Sequence, residues 1–434
     1  MADLFSLTVE EIAKSHQIRG GMLYGLSEKE LLKLPSILLE KTILRVKETY
    51  EGHPEKANAI KSIRDHVASI TPITPFQDVL SADHYNQQLK TVLDTAGRIG
   101  EWDHAKPSIA TVIGGSAEGF VTQDSSGRKL IVIDTGLTTF CHLFAKIFSA
   151  CVVEETSDSC HVSLDPEHIH KASLKNEISK RLDNLLVAFC VRGDPSLAEP
   201  YLPSPNQSEV IDIVRDSIQS FIIAHECGHI QNGHLDDPHL SGGDSLHRVT
   251  TMISDDVPIY LYRKYKEFEA DSYGLQILLN SINFNDPQTI LRACGPFLFL
   301  IALDILEKFL FFLQYKRDMM LSPHDGLSTV LSLSSVPTTH PTPAERLYEL
   351  QRRANESDSL PEEIVNIIDF TVETVDDALQ SMRMRFQEEH ESINFFPNVH
   401  PRWEKKLHEF ELSRLYSGGI VEELLAKNDK EDRE

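Results

Sequence analysis

Phe221-Ile222-Ile223-Ala224-His225-Glu226-Cys227-Gly228-His229 organises the reading of this chain. Residues four apart share one face of a helix, so His225 and His229 can place two imidazole nitrogens on one tetrahedral metal. Glu226 stands at the edge of that face. It is too constrained to ligate the same ion but can reach a water beside it. Ile211, Val214, Ile218 and Ile222 precede the histidines at three- and four-residue spacing. This predicts a helix whose inward apolar face the histidines continue. Asn232-Gly233 supplies its stop. A pair of core histidines satisfied among apolar neighbours is the competing reading, and it has weight in a chain with 19 histidines.

A third ligand separates the two readings. An HExxHxxGxxH arrangement would need glycine at 232 and histidine at 235, but the chain has Asn232 and Leu235, with Gly233 and His234 one position off. The alternative is a glutamate from a second helix, giving two histidines, one glutamate and an open position. Lys264-Tyr265-Lys266-Glu267-Phe268-Glu269-Ala270-Asp271-Ser272-Tyr273-Gly274 offers it, with Glu267 standing 38 positions after His229. Glu267 and Asp271 share a helix face with Ala270 and Gly274, small residues that permit close approach. Glu267 is therefore the expected ligand, and Asp271 the expected holder of a ligand histidine's second nitrogen. Glu269 competes with Glu267, but points about 160° away if Asp271 is inward. A solvated helix face is the plain alternative for Glu267.

The surroundings set the class. With 434 residues the chain has room for two or three domains and a sizeable core. Its 42 Lys and Arg against 66 Asp and Glu leave a net charge of −24, which argues against nucleic acid and anionic lipid as partners. Six cysteines without a CxxC pair read as buried thiols in a reducing compartment, and the N-terminus lacks a basic, then apolar, leader pattern. A cytoplasmic location is expected. The longest apolar run, 296–315, carries Asp304, Glu307 and Lys308. Central charges cost about 2.5–3.5 kcal/mol in a membrane, so it reads as a buried amphipathic helix and no span is expected.

Helical patterning fills 1–70, with a capped start at Ser27-Glu28-Lys29-Glu30, and a proline-punctuated connector follows at 69–75. Residues 108–120 and 128–133 read as strands, Lys129–Ile133 most clearly; helical patterning dominates after 174. The expected class is α+β, helix-dominated, with an N-terminal helical region 1–75, a core 76–355 with an insertion at about 138–207, and a C-terminal helical region 356–434 with a charged tail.

His225-Glu-Cys-Gly-His229, Glu267-Phe-Glu-Ala-Asp271 and Thr339-His340-Pro341-Thr-Pro-Ala-Glu-Arg346, in that order, resemble the HExxH, ExxAD and HPxxxxR elements of gluzincins. That group includes the CAAX prenyl protease and HtpX-type peptidases. Ile133-Asp134-Thr135-Gly136-Leu137 is similar to the strand-to-helix segment preceding the metal helix there. The resemblance spans roughly 110–350. It implies a zincin-like core with a small sheet whose edge strand lies beside the HExxH helix, here in a soluble offshoot with an unusually long segment between Leu137 and Val214.

The implied activity is zinc-dependent endopeptidase, with one Zn²⁺ per chain on His225, His229 and Glu267 and Glu226 as general base. By the same resemblance His340 is the partner of the tetrahedral intermediate, with Arg346 assisting it or pairing locally. The expected partner is a protein or peptide substrate aligned along the sheet edge, which Lys129–Ile133 is expected to form. Residues 235–256, with Ser241-Gly242-Gly243-Asp244, suit a mobile cover or plain disorder. His161, His168 and His170 read as surface histidines rather than a second metal site, and Cys227 as packing. The alternative function is a catalytically silent or regulated metallopeptidase-like module acting through protein binding by its flanking helices.

Overall fold

The protein is described by a computed structural model over residues 7–407, apart from 113–118, 156–159, 237–256, 284–290, 322–340, 392–398, 404–406 and a few single or paired positions. It is helix-dominated with a small sheet, in keeping with the α+β expectation. Its contacts divide into two compact units.

The first comprises Met1–Thr138, Gln219–Gly243 and Tyr273–Ser281. It opens with α1 (Val9–Leu23), α2 (Glu28–Leu31), α3 (Leu34–Thr49), α4 (Lys56–Ser69) and α5 (Val79–Arg98). The expected start of α2 is a capping box: the Ser27 hydroxyl accepts the Glu30 N–H and the Glu30 carboxylate accepts the Ser27 N–H. Strands β1 (Ser108–Val112), β2 (Phe120–Gln123) and β3 (Lys129–Asp134) form a sheet in the order β1-β3-β2. β1 runs parallel to β3, and β2 antiparallel to it. Val9 and Ala13 of α1 close a core with Ala110, Val112, Leu130 and Val132. The Gln17 amide ties the same helix to the Thr111 carbonyl at 2.7 Å.

One expectation is corrected here. Lys129–Ile133 is the middle strand and not the edge. Its uninterrupted apolar run, Leu130-Ile131-Val132-Ile133, is buried at every position, the pattern of a strand covered on both faces. β1 and β2 are the edges of the sheet, and the chain enters β2 beside the HExxH residues. A Cβ on Gly119, just ahead of β2, would stand 3.2 Å from Glu226 Oε1 and from Ile222 Cγ2. β2 itself is half-buried throughout. At the end of β3 the fully buried Asp134 accepts the Gly136 and Leu137 N–H groups at 2.6 and 3.2 Å, capping α6 (Thr135–Val152).

The second unit comprises Thr139–Ile218, Asp244–Ser272 and Ile282–Glu434. It holds a two-stranded ribbon, β4 (Val153–Glu155) with β5 (Cys160–Val162), then α7 (Pro166–Ser173) and α8 (Asn176–Cys190). α9 (Pro205–Gln231) and α10 (Val257–Ser281) are continuous helices that each contribute residues to both units. The unit is completed by α11 (Gly295–Leu321), α12 (Pro343–Asn355), α13 (Glu362–Phe370) and α14 (Asp376–Glu391). α11 contains the long apolar run, and Phe297, Leu300, Ile301, Ile305, Phe309 and Leu313 are all buried in the protein. Its Asp304 is paired inside with Lys308 and the Gln380 amide, both at 2.6 Å. Packing therefore accounts for the apolarity of the run. Among the described residues α6 is long and apolar enough to cross a membrane, and 61% of that window is buried in the protein.

Candidate metal centre

α9 begins at Pro205, where a missing N–H costs a helix nothing. Ile211, Val214, Ile218 and Ile222 are all buried, so the predicted inward stripe is real, and His225 continues it at 7% exposure. His225 Nε2 and His229 Nε2 lie 3.1 Å apart. Bonds of about 2.0–2.1 Å from a tetrahedral ion would set its nitrogen ligands about 3.3–3.4 Å apart, so the pair needs only a slight opening to accept one. Glu226 is 4% exposed, with its Oε1 turned toward the start of β2. Cys227, between them, is fully buried; burial first, and then the Glu226 carboxylate, push its thiol pKa up. It stays protonated and packs.

α10 meets this turn of α9 at Gly274. A Cβ there would stand 3.0 Å from the Phe221 ring and 3.2 Å from the His225 backbone nitrogen. Glu267 is two turns earlier on the same helix and the same face. His225, His229 and Glu267 each offer one ligand atom, and the three atoms lie within 4.8 Å of one another, a group that could hold a metal ion. Gly274→Val tests the approach. The helix-propensity gain of losing glycine is below about 1 kcal/mol, whereas overpacking against a ring and a backbone atom costs about 1–3 kcal/mol. The variant is expected to be net destabilised in urea unfolding by about 1–2 kcal/mol; wild-type stability would mean the helices do not press together here.

Glu269, the competing ligand, is engaged elsewhere: it accepts the Tyr265 hydroxyl, an interaction that raises the phenol pKa. Asp271 is 2% exposed, and both its oxygens accept Arg346, Nε at 2.8 Å and Nη2 at 2.6 Å. Arg346 Nη1 lies 3.9 Å from Glu267 Oε2. The local pairing of Arg346 is thus with the Glu267 helix. The arginine is delivered by the first turns of α12, capped by a Thr342–Glu345 box and held by Lys264 Nζ donating to Glu345 Oε1 at 2.6 Å. His340 lies outside the described residues, as does 237–256, most of the expected cover.

The residue that spacing arguments missed is His234. It is 5% exposed, and its Nδ1 lies 2.9 Å from His229 Nδ1. In a continuing helix residue 234 would sit about 140° round from His229, so periodicity gave no signal. His161 and His168 gather on Glu154 at 3.3 and 3.7 Å, and His170 is exposed. Comparison with protein-family models, curated proteins and solved structures finds no match to this chain.

Proposed function

We propose that the protein is a zinc-dependent endopeptidase. One observation carries the reading: two imidazoles and a carboxylate converge as a metal-capable group, with a buried glutamate next in sequence to the first histidine. Two neutral nitrogens and one oxygen are the donor set of catalytic zinc, and three protein ligands leave the fourth position open. His225, His229 and Glu267 would hold the ion. The chemistry it supplies when bound is polarisation of the scissile carbonyl and acidification of water.

The remaining roles belong to side chains of the chain. Glu226, tethered at the edge of the ligand face, takes the proton of the attacking water and delivers it to the leaving amine. Arg346 holds Asp271 by two hydrogen bonds and keeps its positive charge 3.9 Å from the Glu267 carboxylate. Among the described residues β2 pairs with β3 on one side only, and its outer edge, entered beside Glu226, is where an extended peptide would pair by main-chain hydrogen bonds. His340 is proposed, on the gluzincin resemblance, to stabilise the developing oxyanion. That resemblance, three motifs in order, is what favours peptide bonds over other substrates of acidified water. Cys141, Cys151, Cys190, Cys227 and Cys294 are free and buried; such thiols suit a reducing compartment, and the proposed location is the cytoplasm.

The test is metal content and its link to cleavage. Protein purified without chelators should carry about one zinc per chain. Chelation should abolish cleavage of a denatured protein mixture, and added zinc should restore it. A chain that neither carries zinc nor takes it up would end the proposal.

A further inference from the structure

We infer that His234 is the positioning residue of the metal centre, holding the ring of His229 by its distal nitrogen; this rests on the metal reading above. The two Nδ1 atoms are 2.9 Å apart, a hydrogen-bond distance at which one nitrogen must carry the proton and the other accept it. His229 Nε2 is the atom that faces His225 Nε2, 3.1 Å away, and is therefore the nitrogen placed to ligate. A ligating Nε2 has no proton, so the neutral ring carries it on Nδ1 and donates it to His234. His234 must then be the acceptor at Nδ1, protonated at its own Nε2. One contact thereby sets both tautomers and fixes the plane of the ligand ring.

The chain is shaped to deliver this contact. α9 stops where Asn232 N–H returns to the Gly228 carbonyl and Gly233 N–H to Ile230. Gly233 has φ +67°, a left-handed turn that glycine adopts without a Cβ clash. The chain therefore folds back, and the short 3-10 turn His234–Asp236 brings His234 beneath the helix end. The adjoining Leu235 carbonyl accepts the Gln123 amide of β2 at 3.4 Å, and Lys129 Nζ in turn donates to the Gln123 side-chain oxygen. The edge strand thus also anchors the turn that orients a metal ligand.

The test uses the full-length chain with zinc in competition against a chromophoric chelator, and cobalt absorption as a second probe. His234→Phe keeps the ring volume without the acceptor; His234→Gln keeps an acceptor. The phenylalanine variant should bind zinc about 10–100-fold more weakly and shift the cobalt bands, with the melting temperature of the metal-free protein unchanged. The glutamine variant should stay within a few-fold of wild type. Wild-type affinity and spectrum in both variants, or an equal loss in both, would overturn the positioning role while leaving the metal centre intact. Wild-type protein that binds neither zinc nor cobalt would remove the metal reading itself, and this inference with it. If phenylalanine prevents folding, His234→Leu, which also lacks an acceptor, takes its place: a loss of tenfold or more with leucine while glutamine stays within a few-fold upholds the role, and equal affinities in the two overturn it.

Discussion

Glu226→Gln is expected to abolish peptide hydrolysis, by about 10²- to 10⁴-fold, without losing the metal. The side chain is 4% exposed, with its Oε1 beside Gly119. Glutamine has nearly the same shape, so the helix and the histidine pair should persist. What it lacks is the basic oxygen that accepts a proton from water, and general-base catalysis disappears with it. Zinc content measured alongside initial rates on a denatured substrate separates the two effects. Retained zinc with lost cleavage is the expected pair of results. Full cleavage by this variant would exclude Glu226 as the base, and loss of zinc would show that it holds the site together instead.

Arg346→Ala should cost about 3–5 kcal/mol of stability, the largest expected effect on the folded state. Its side chain is 14% exposed and gives two nitrogens to Asp271, whose side chain is 2% exposed. Removing one member of a buried pair strands the other charge, which is far costlier than the pair's own net worth. Glu267 lies 3.9 Å from the same guanidinium and loses its neighbouring positive charge as well. Arg346→Lys, which keeps the charge but not the two-pronged geometry, should fall between. The double change Arg346→Met with Asp271→Leu should recover much of the loss, because the deeply buried Asp271 charge is gone and only the more exposed Glu267 carboxylate lacks its neighbour. Urea unfolding of the four proteins measures this. An alanine variant within about 0.5 kcal/mol of wild type would contradict the buried-pair account.

Much of the candidate site was legible because helical periodicity is local. The spacing from Ile211 to His229 follows from 3.6 residues per turn, and it predicts the buried stripe that α9 displays. The small residues Ala270 and Gly274 likewise announce a close helix contact, and Gly274 makes one with Phe221 and the His225 backbone. The capping box at Ser27 and the stop at Gly233 were readable for the same reason: each involves groups only a few residues apart.

Other features were hidden because they depend on where the chain returns. The role of β3 is one. Its apolar run identifies a strand but not its neighbours, and only the pairing of β1 and β2 on either side makes it central and leaves those two at the edges. Arg346 is another, since nothing in the sequence says that its fork will close on Asp271, 75 positions earlier. His234 is the clearest case. One left-handed residue at Gly233 turns a position about 140° off the ligand face into a direct neighbour of His229. The sequence alone determined the helices, their inward faces and three candidate ligands, because those follow from repeat distances along a single element. Tertiary structure alone decided which strand is central, what holds Asp271 and which side chain lies beside His229 Nδ1, because each joins groups that only the folded backbone brings within hydrogen-bonding reach.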